Sequence, residues 1–344
     1  MEYLRALEAD LDAALPQVWG RKVVSVFIGG GTPSLLSAAG LDQLLVLVRA
    51  RLPLLADAEI TLEANPGTFE IARFREYRKS GVTRLSVGIQ SFDPRHLQAL
   101  GRVHDADEAR RAAEIAASTF DTFNLDLMFA LPGQTVAQLQ TDVQTALSFA
   151  PPHISLYHLT IEPNTVFAKY PPVIPDDDAA ADLQDALESM LGTVGYEHYE
   201  TSAHAKRGHR CRHNENYWRF GDYLGIGAGA HSKLSFHDRI IRQARYKQPA
   251  QYMRAALEGN ALAEDRVLGA ADLPFEFMMN AMRLSDGVAL AEFAERTGLP
   301  ITAITRELEA AEARGLLMRD HKTMRATDTG ALFLNDLLQL FLPK

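Results

Sequence analysis

The stretch Phe27-Ile28-Gly29-Gly30-Gly31-Thr32-Pro33-Ser34 decides the fold. An apolar run from Lys22 to Ile28 predicts a buried strand before the glycines, and a helical pattern from Ala39 to Arg51 follows them. Glycines let backbone N–H groups come close to a carboxylate, a phosphate or an amine, and the start of a helix favours an anion. The stretch therefore predicts either a tight strand-to-helix turn or a ligand-binding loop. A P-loop is excluded because no Gly-Lys-Ser/Thr sequence follows.

Further β-branched runs alternate with helical patterns downstream. The predicted strands are Ala58 to Leu62, Arg84 to Ile89, Thr122 to Leu127 and His153 to Leu159. Strand and helix repeated at this spacing indicate an α/β protein with a parallel sheet, either open or closed into a barrel. Both forms bind their ligands at the carboxyl ends of the strands.

Polar residues stand at these strand ends, whereas the strands themselves are apolar. They are Gly29 to Pro33, Glu63-Ala64-Asn65-Pro66-Gly67, Gln90, Asp126, and Thr160 with Glu162. Because parallel strands end at one edge of a sheet, these positions share one mouth. The sequence therefore predicts a binding site for a small polar ligand there.

The chain of 344 residues suits one large domain and a smaller one. We predict a barrel domain with its extension over residues 1–247, a linker over 248–271 and a small, mainly helical domain over 272–344. From Leu290 onward two helices and a hairpin resemble a winged helix. Seven Lys and Arg against nine Asp and Glu from Ser285 to Lys344 do not form the basic face that DNA binding requires.

Composition narrows the function. The net charge of -9 argues against a nucleic-acid partner. No apolar run reaches the roughly 18 residues of a membrane span, and no signal-peptide pattern opens the chain, so we predict a cytoplasmic protein. The single cysteine, Cys211, excludes an internal disulfide and a Cys-rich zinc or iron–sulfur site built from this chain alone.

Three motifs near residue 220 leave alternatives open. Gly225 to Ala230 matches a dinucleotide fingerprint, but it lies late in the chain and no long amphipathic helix follows. His209, Cys211 and His213 would face one way on an extended segment and could bind a metal or haem iron, although spacing alone favours an exposed basic loop. Asn214 to Arg219 could pack a flat ligand such as a porphyrin or anchor a domain core.

Taken together, these strings resemble the radical S-adenosylmethionine proteins related to oxygen-independent coproporphyrinogen III oxidase. The matching strings are Phe27 to Ser34, Glu63 to Gly67, Ser86 to Phe92, Leu100 to His104 and Asn124 to Met128. His213-Asn214-Glu215-Asn216-Tyr217-Trp218 resembles the signature that separates the HemW haem chaperones from the oxidases. The order and spacing match across nearly the whole chain.

The resemblance implies a partial (β/α)6 barrel and a set of ligand-binding residues. Those implied to bind S-adenosylmethionine are Gly30, Gly31, Thr32, Glu63, Gln90, Arg102 and Asp126. It makes His213 the leading candidate haem contact, with Cys211 and His209 behind it. The chemistry agrees, because carboxyl and backbone acceptors suit an ammonium group and ribose hydroxyls, and Arg102 suits a carboxylate.

The N-terminus departs from the family. Relatives begin with a strand and a Cys-x3-Cys-x2-Cys loop that holds a [4Fe-4S] cluster, whereas Met1-Glu2-Tyr3-Leu4 corresponds to the helix after that loop. We therefore expect the chain as written to lack the first barrel strand and the cluster ligands, and to perform no reductive cleavage of S-adenosylmethionine. This predicts either a start site assigned too late or a fragment.

The leading hypothesis is a haem chaperone that binds haem and passes it to an unknown haem-accepting protein. The alternative is an oxygen-independent coproporphyrinogen III oxidase-like enzyme, which the His213 to Trp218 string and the missing cysteines both disfavour. A winged-helix interaction protein is a third possibility, which the charge count does not favour.

Overall fold

The structure is a computed structural model that describes residues 2–31, 33, 36–67 and 71–343. It contains two compact units. The barrel unit consists of Val24–Leu45 and Ala56–Arg210, and the C-terminal unit consists of Met1–Val23, Val46–Leu55 and Cys211–Lys344. Each unit therefore joins segments that are distant in sequence, whereas the predicted division into 1–247, 248–271 and 272–344 is contiguous.

A seven-stranded sheet is the frame of the barrel unit. Its strands are β1 Val23–Ile28, β2 Leu54–Ala64, β3 Arg84–Gln90, β4 Thr122–Phe129, β5 His153–His158, β6 Glu197–Glu200 and β7 Ala203–Ala205. They lie in the order β1-β2-β3-β4-β5-β7-β6, with β2 to β5 parallel and β7 antiparallel to both of its neighbours. The five predicted strands are confirmed, but β1 is not buried as predicted, because it lies at the edge of the sheet and its Val24 and Phe27 are 41% and 39% exposed. Strand β2 is longer than predicted because Asp57 and Glu59 interrupt its apolar pattern.

Helices alternate with these strands. They are α2 Ala38–Arg51, α3 Phe74–Ser80, α4 Pro94–Ala99, α5 Ala106–Thr119, α6 Val136–Ser148, α7 Val166–Lys169 and α8 Asp177–Thr193, whereas α1 Glu2–Val18 belongs to the C-terminal unit. Helix α5 shows why they form: Asp105 and Glu108 make a reciprocal capping box at its first turn. Its buried alanines Ala109, Ala112 and Ala116 leave only small side chains between α5 and strands β3 and β4.

The two faces of β3 and β4 differ in polarity. The apolar face carries Leu85, Val87, Ile89, Phe123, Leu125 and Leu127, all buried. The other face carries Ser86, Gly88, Gln90, Asn124 and Asp126. Parallel sheets are usually apolar on both faces because helices cover both. The polar face here indicates an interior that binds a polar ligand.

The C-terminal unit contains two small antiparallel sheets. Its strands are β8 His231–Ser235, β9 Ile240–Arg245, β10 Leu262–Val267, β11 Val288–Ala289, β12 Leu317–Arg319 and β13 Thr323–Ala326. Its helices are α9 Arg212–Trp218, α10 Pro249–Leu257, α11 Leu273–Ala281, α12 Leu290–Thr297, α13 Thr305–Ala313, α14 Asp328–Leu332 and α15 Leu334–Gln339, with a 3-10 turn at Ile301–Ile304. Among the described residues no helix is long and apolar enough to cross a membrane.

The winged-helix prediction is confirmed, because α12 and α13 precede the β12–β13 hairpin and β11 completes its sheet in the order β11-β13-β12. The predicted linker, 248–271, contains helix α10 and also strand β10, which pairs with β9. Sequence reasoning missed β10 because its central residues, Glu264 to Arg266, are charged and exposed.

A buried ion pair joins helix α1 to the rest of the C-terminal unit. Asp10 and Arg245 are each about 97% buried, and Arg245 Nε lies 3.3 Å from Asp10 Oδ1. Asp10 Oδ2 also accepts hydrogen bonds from the Tyr252 hydroxyl, over 2.8 Å, and from the Gly227 amide, over 3.2 Å. A buried carboxylate requires such partners because it has lost its hydration.

The same contacts explain the glycine-rich stretch from Gly225 to Ala230. Its Gly227 and Ala228 amides donate to side chains of α1, namely Asp10 and the Tyr3 hydroxyl. Gly227 has φ 109°, and a Cβ there would lie 3.2 Å from the Tyr3 hydroxyl oxygen. The stretch therefore serves helix packing, and its resemblance to a dinucleotide fingerprint is incidental.

We predict that Asp10→Ala destabilises the protein by about 3–5 kcal/mol, because it leaves Arg245 buried without its counter-charge. Asp12→Ala is the matched control. Asp12 also lies on α1 but is half exposed and pairs with Arg51 of α2, so it should contribute about 1 kcal/mol or less to stability. Urea denaturation followed by circular dichroism measures both. Equal effects of the two substitutions would contradict the role given to Asp10.

Candidate functional site

The glycine loop after β1 contacts the end of β2. The Gly30 amide donates a hydrogen bond to Glu63 Oε2 over 3.0 Å. Gly30 and Gly31 have φ 81° and 52°, and among the described residues no atom stands within 4 Å of a Cβ added to either. The loop therefore presents open backbone beside an acidic side chain. Thr32, the third predicted loop residue, lies outside the described residues.

Asp126 lies on β4, on the polar face of the sheet. Ser86 Oγ donates to its Oδ2 over 3.0 Å, and Asn124 Nδ2 donates to its Oδ1 over 2.7 Å. Burial of the carboxylate, together with the nearby charge of Glu63, raises the pKa of Asp126 to about 6, although the two hydrogen bonds act in the opposite direction. The structure thus brings Gly30, Glu63 and Asp126 together.

Gln90 ends β3 with φ 68°, a left-handed conformation that costs energy for a residue other than glycine. Its side-chain amide lies over Gly88, where a Cβ would stand 2.9 Å from Gln90 Nε2. Asp142 of α6 fixes the next two residues, accepting from Ser91 Oγ over 2.5 Å and from the Phe92 amide over 2.8 Å. The backbone that follows Gln90 is therefore fixed by α6.

The remaining predicted residue of this mouth, Arg102, is exposed in the loop after α4. The described contacts do not join its guanidinium to Glu63 or Asp126. His104, two residues later, is buried with Nε2 3.1 Å from the Ile89 carbonyl oxygen, so this loop is tied to β3.

Sequence reasoning missed the polar residues beneath the mouth. They are Ser86, Asn124, His153 and Ser155, together with Tyr199 on β6. Asn124 Oδ1 lies 2.7 Å from His153 Nδ1 and accepts from Ser155 Oγ over 3.2 Å. A signal was present: polar residues recur at every second position of strands β3, β4 and β5, so they share a face.

His213 lies in the C-terminal unit, near the start of α9. The segment is not extended as hypothesised, because a helix begins at Arg212 and Cys211 is its capping residue. Cys211 Sγ is nevertheless 2.9 Å from His213 Nδ1. His209 falls in the barrel unit, so Cys211 and His213 form the described pair.

The aromatic ring of Tyr217 packs against His213 on α9. The Tyr217 ring meets it edge-on at 6.3 Å between centroids, and Tyr223 meets Tyr217 at 4.6 Å. Burial raises the pKa of the Tyr217 hydroxyl to about 12, so it stays neutral. Trp218 packs against the core of the winged helix, and Arg283 lies over its ring. The segment from His213 to Trp218 thus places an imidazole beside a tyrosine ring, while Trp218 packs into the core of the winged helix.

Two family models match this chain. One describes the radical SAM superfamily and matches residues 4–146, and the other describes the HemN C-terminal domain and matches residues 268–333. Among solved structures, coproporphyrinogen III oxidase (HemN) from Escherichia coli, a radical SAM enzyme, superposes with a TM-score of 0.82. The match covers 98% of this chain and 82% of that one at 23% identity, which shows a common fold.

Curated relatives match over nearly the full chain. Heme chaperone HemW of Escherichia coli (strain K12) is 49% identical over 99% of this chain and 90% of its own length. Heme chaperone HemW of Haemophilus influenzae is 46% identical over 98% of this chain and 88% of its own length. A mitochondrial radical S-adenosyl methionine domain-containing protein of mouse is 35% identical over 94% of this chain and 76% of its own length. The chain belongs to the HemW heme chaperone family of the radical SAM superfamily.

Proposed function

We propose that the protein is a haem chaperone: it binds haem beside His213 and passes it to an acceptor protein. The observation that carries the proposal is the His213 imidazole on α9, held 2.9 Å from the Cys211 thiol and flanked by Tyr217. Imidazole is a common ligand of haem iron, and aromatic rings pack against the porphyrin plane. A partner beside the ring, as the Cys211 thiol is here, sets the orientation of a ligating imidazole.

The strand-end mouth supports a second ligand, S-adenosylmethionine. Its residues fit the chemistry of that molecule, since Glu63 and Asp126 supply acceptors for an ammonium group and ribose hydroxyls. Gly30 and Gly31 supply open backbone, and Gln90 supplies a side-chain amide at the end of β3. The residues that would hold the ligand are Gly30, Gly31, Thr32, Glu63, Gln90, Arg102 and Asp126. When bound, the ligand supplies a positively charged sulfonium beside these acceptors.

A [4Fe-4S] cluster does not fit the residues of this sequence alone, because three thiolates are needed and Cys211 is the single cysteine. The similarity in fold to coproporphyrinogen III oxidase does not transfer that enzyme's reaction, and the string from His213 to Trp218 favours the chaperone. The acceptor would be a protein that takes up haem. The cytoplasmic location stays a prediction.

We predict that adding haem to the purified protein produces a Soret band, and that His213→Ala shifts it and weakens haem binding about tenfold or more, because an iron ligand is lost. His237→Ala is the matched control, since His237 is 93% exposed on a turn of the same unit. Absorption titration measures both. An unchanged spectrum in His213→Ala would remove His213 from the proposal.

We predict that Asp126→Asn weakens S-adenosylmethionine binding about tenfold yet stabilises the protein at neutral pH. Because folding raises the pKa of Asp126 to about 6, its ionisation opposes folding, and this cost appears as pH rises from about 4 through 6. The uncharged side chain avoids that cost, so the gain in melting temperature should be small at pH 4 and larger at pH 7. Calorimetry of binding and thermal melting at both pH values measure the two effects.

Asp121→Asn is the control for this experiment, because Asp121 precedes the same strand but is 94% exposed. It should change neither binding nor the pH dependence of stability. Tight S-adenosylmethionine binding by Asp126→Asn would exclude the carboxylate from the ligand site. A melting difference independent of pH would show that desolvation does not act on Asp126.

A further inference from the structure

Three buried side chains join the sheet edge to Asp126. Tyr199 on β6, His153 on β5 and Asn124 on β4 are each at most 3% exposed. The Tyr199 hydroxyl oxygen is 2.8 Å from His153 Nε2, and His153 Nδ1 is 2.7 Å from Asn124 Oδ1. Asn124 Nδ2 then lies 2.7 Å from Asp126 Oδ1. The series is continuous and ends at the carboxylate.

The direction of the hydrogen bonds follows from Asp126. An ionised carboxylate only accepts, so the amide nitrogen of Asn124 faces it and the amide oxygen faces His153. With a neutral imidazole, His153 therefore carries its proton on Nδ1, and its Nε2 accepts from the Tyr199 hydroxyl. For the neutral ring one arrangement satisfies all three contacts, and every donor points toward Asp126.

The reversed arrangement would be costly. With the proton on His153 Nε2, the unprotonated Nδ1 would face Asn124 Oδ1, and the amide would turn its oxygen toward Asp126. Two acceptors would then stand 2.7 Å apart without a proton between them. The charged groups that act on Asp126 and on its neighbour Tyr157 include the carboxylates of Glu63 and Glu200 but no cation. A cation among these groups therefore does not replace the lost donor.

We propose that His153 and Tyr199 are positioning residues for Asp126: they fix the Asn124 amide so that its N–H holds the carboxylate as an acceptor facing the ligand mouth. Neither residue needs to touch the ligand, since both lie deeper in the sheet. The proposal deepens the S-adenosylmethionine site and rests on it for the identity of the ligand. The arrangement of the hydrogen bonds can be tested without that ligand.

The first test measures the pKa of Asp126 by carbon-13 NMR of its side-chain carboxyl in the unliganded protein. Tyr199→Phe removes the hydroxyl that selects the His153 tautomer. We expect the pKa of Asp126 to rise by about half a pH unit or more, because the donor from Asn124 is no longer enforced. Tyr196→Phe is the matched control, since the buried Tyr196 hydroxyl bonds the Pro151 carbonyl oxygen outside this series.

The second test separates orientation from packing at His153. His153→Phe keeps a ring in the sheet but removes both nitrogens, so the pKa of Asp126 should rise at least as far as in Tyr199→Phe. His153→Gln restores an N–H donor toward Asn124, and we expect it to bring the pKa back toward the wild-type value. Should His153→Phe fail to fold, Tyr199→Phe and His153→Gln decide the question.

The third measurement is calorimetric binding of S-adenosylmethionine by the same variants. We expect about three- to tenfold weaker binding in Tyr199→Phe and unchanged binding in Tyr196→Phe, the size expected for one weakened hydrogen bond to a carboxylate. An unchanged pKa of Asp126 in a folded Tyr199→Phe protein would overturn the positioning role. If the wild-type protein binds no S-adenosylmethionine while Tyr199→Phe still raises the pKa of Asp126, the ligand assignment fails and the positioning role stands.

Discussion

Parallel pairing of β2 to β5 is the constraint on which the candidate site depends. Its register sets Glu63 beside Ser86, Ser86 beside Asn124, and Asn124 beside His153, so one polar residue from each strand falls in a single row. A shift of one residue in any strand would turn its polar side chain to the apolar face, against α5. The apolar residues between them therefore fix the site as firmly as the polar residues do.

Asp126 lies two residues beyond that row on β4, and two opposing effects set the state of its carboxyl group. Burial and the nearby Glu63 disfavour its charge, whereas donors from Ser86 and Asn124 favour it. A carboxylate balanced in this way accepts strongly from a ligand because water does not compete for it. The cost is a strand that is less stable at neutral pH than an uncharged one would be, which is a common feature of binding sites.

Much of this could be predicted from the sequence, because local signals carried it. The five strands and their polar ends followed from apolar runs and alternation, and the winged helix followed from its turn residues. The features that the sequence did not predict depend on contacts between residues far apart in the chain or on pairing with a neighbouring strand. The pairing of Asp10 with Arg245 joins residues 235 positions apart, and no local sequence pattern predicts it. Strand β10 is charged and exposed, so only its pairing with β9 reveals it.

The polar residues beneath the strand ends are a different case, because the sequence signal for them is local. The prediction used polarity only at the strand ends and not inside the strands. Asn124 and Asp126 stand two apart, as do His153 and Ser155, so each pair shares a face of its strand. A parallel strand in a protein core has little reason to keep polar residues at every second position, since each needs a partner away from water. Such alternation inside a predicted parallel sheet therefore indicates a polar interior. The residues that orient the ligand-binding carboxylate are expected there, beneath the strand ends that contact the ligand.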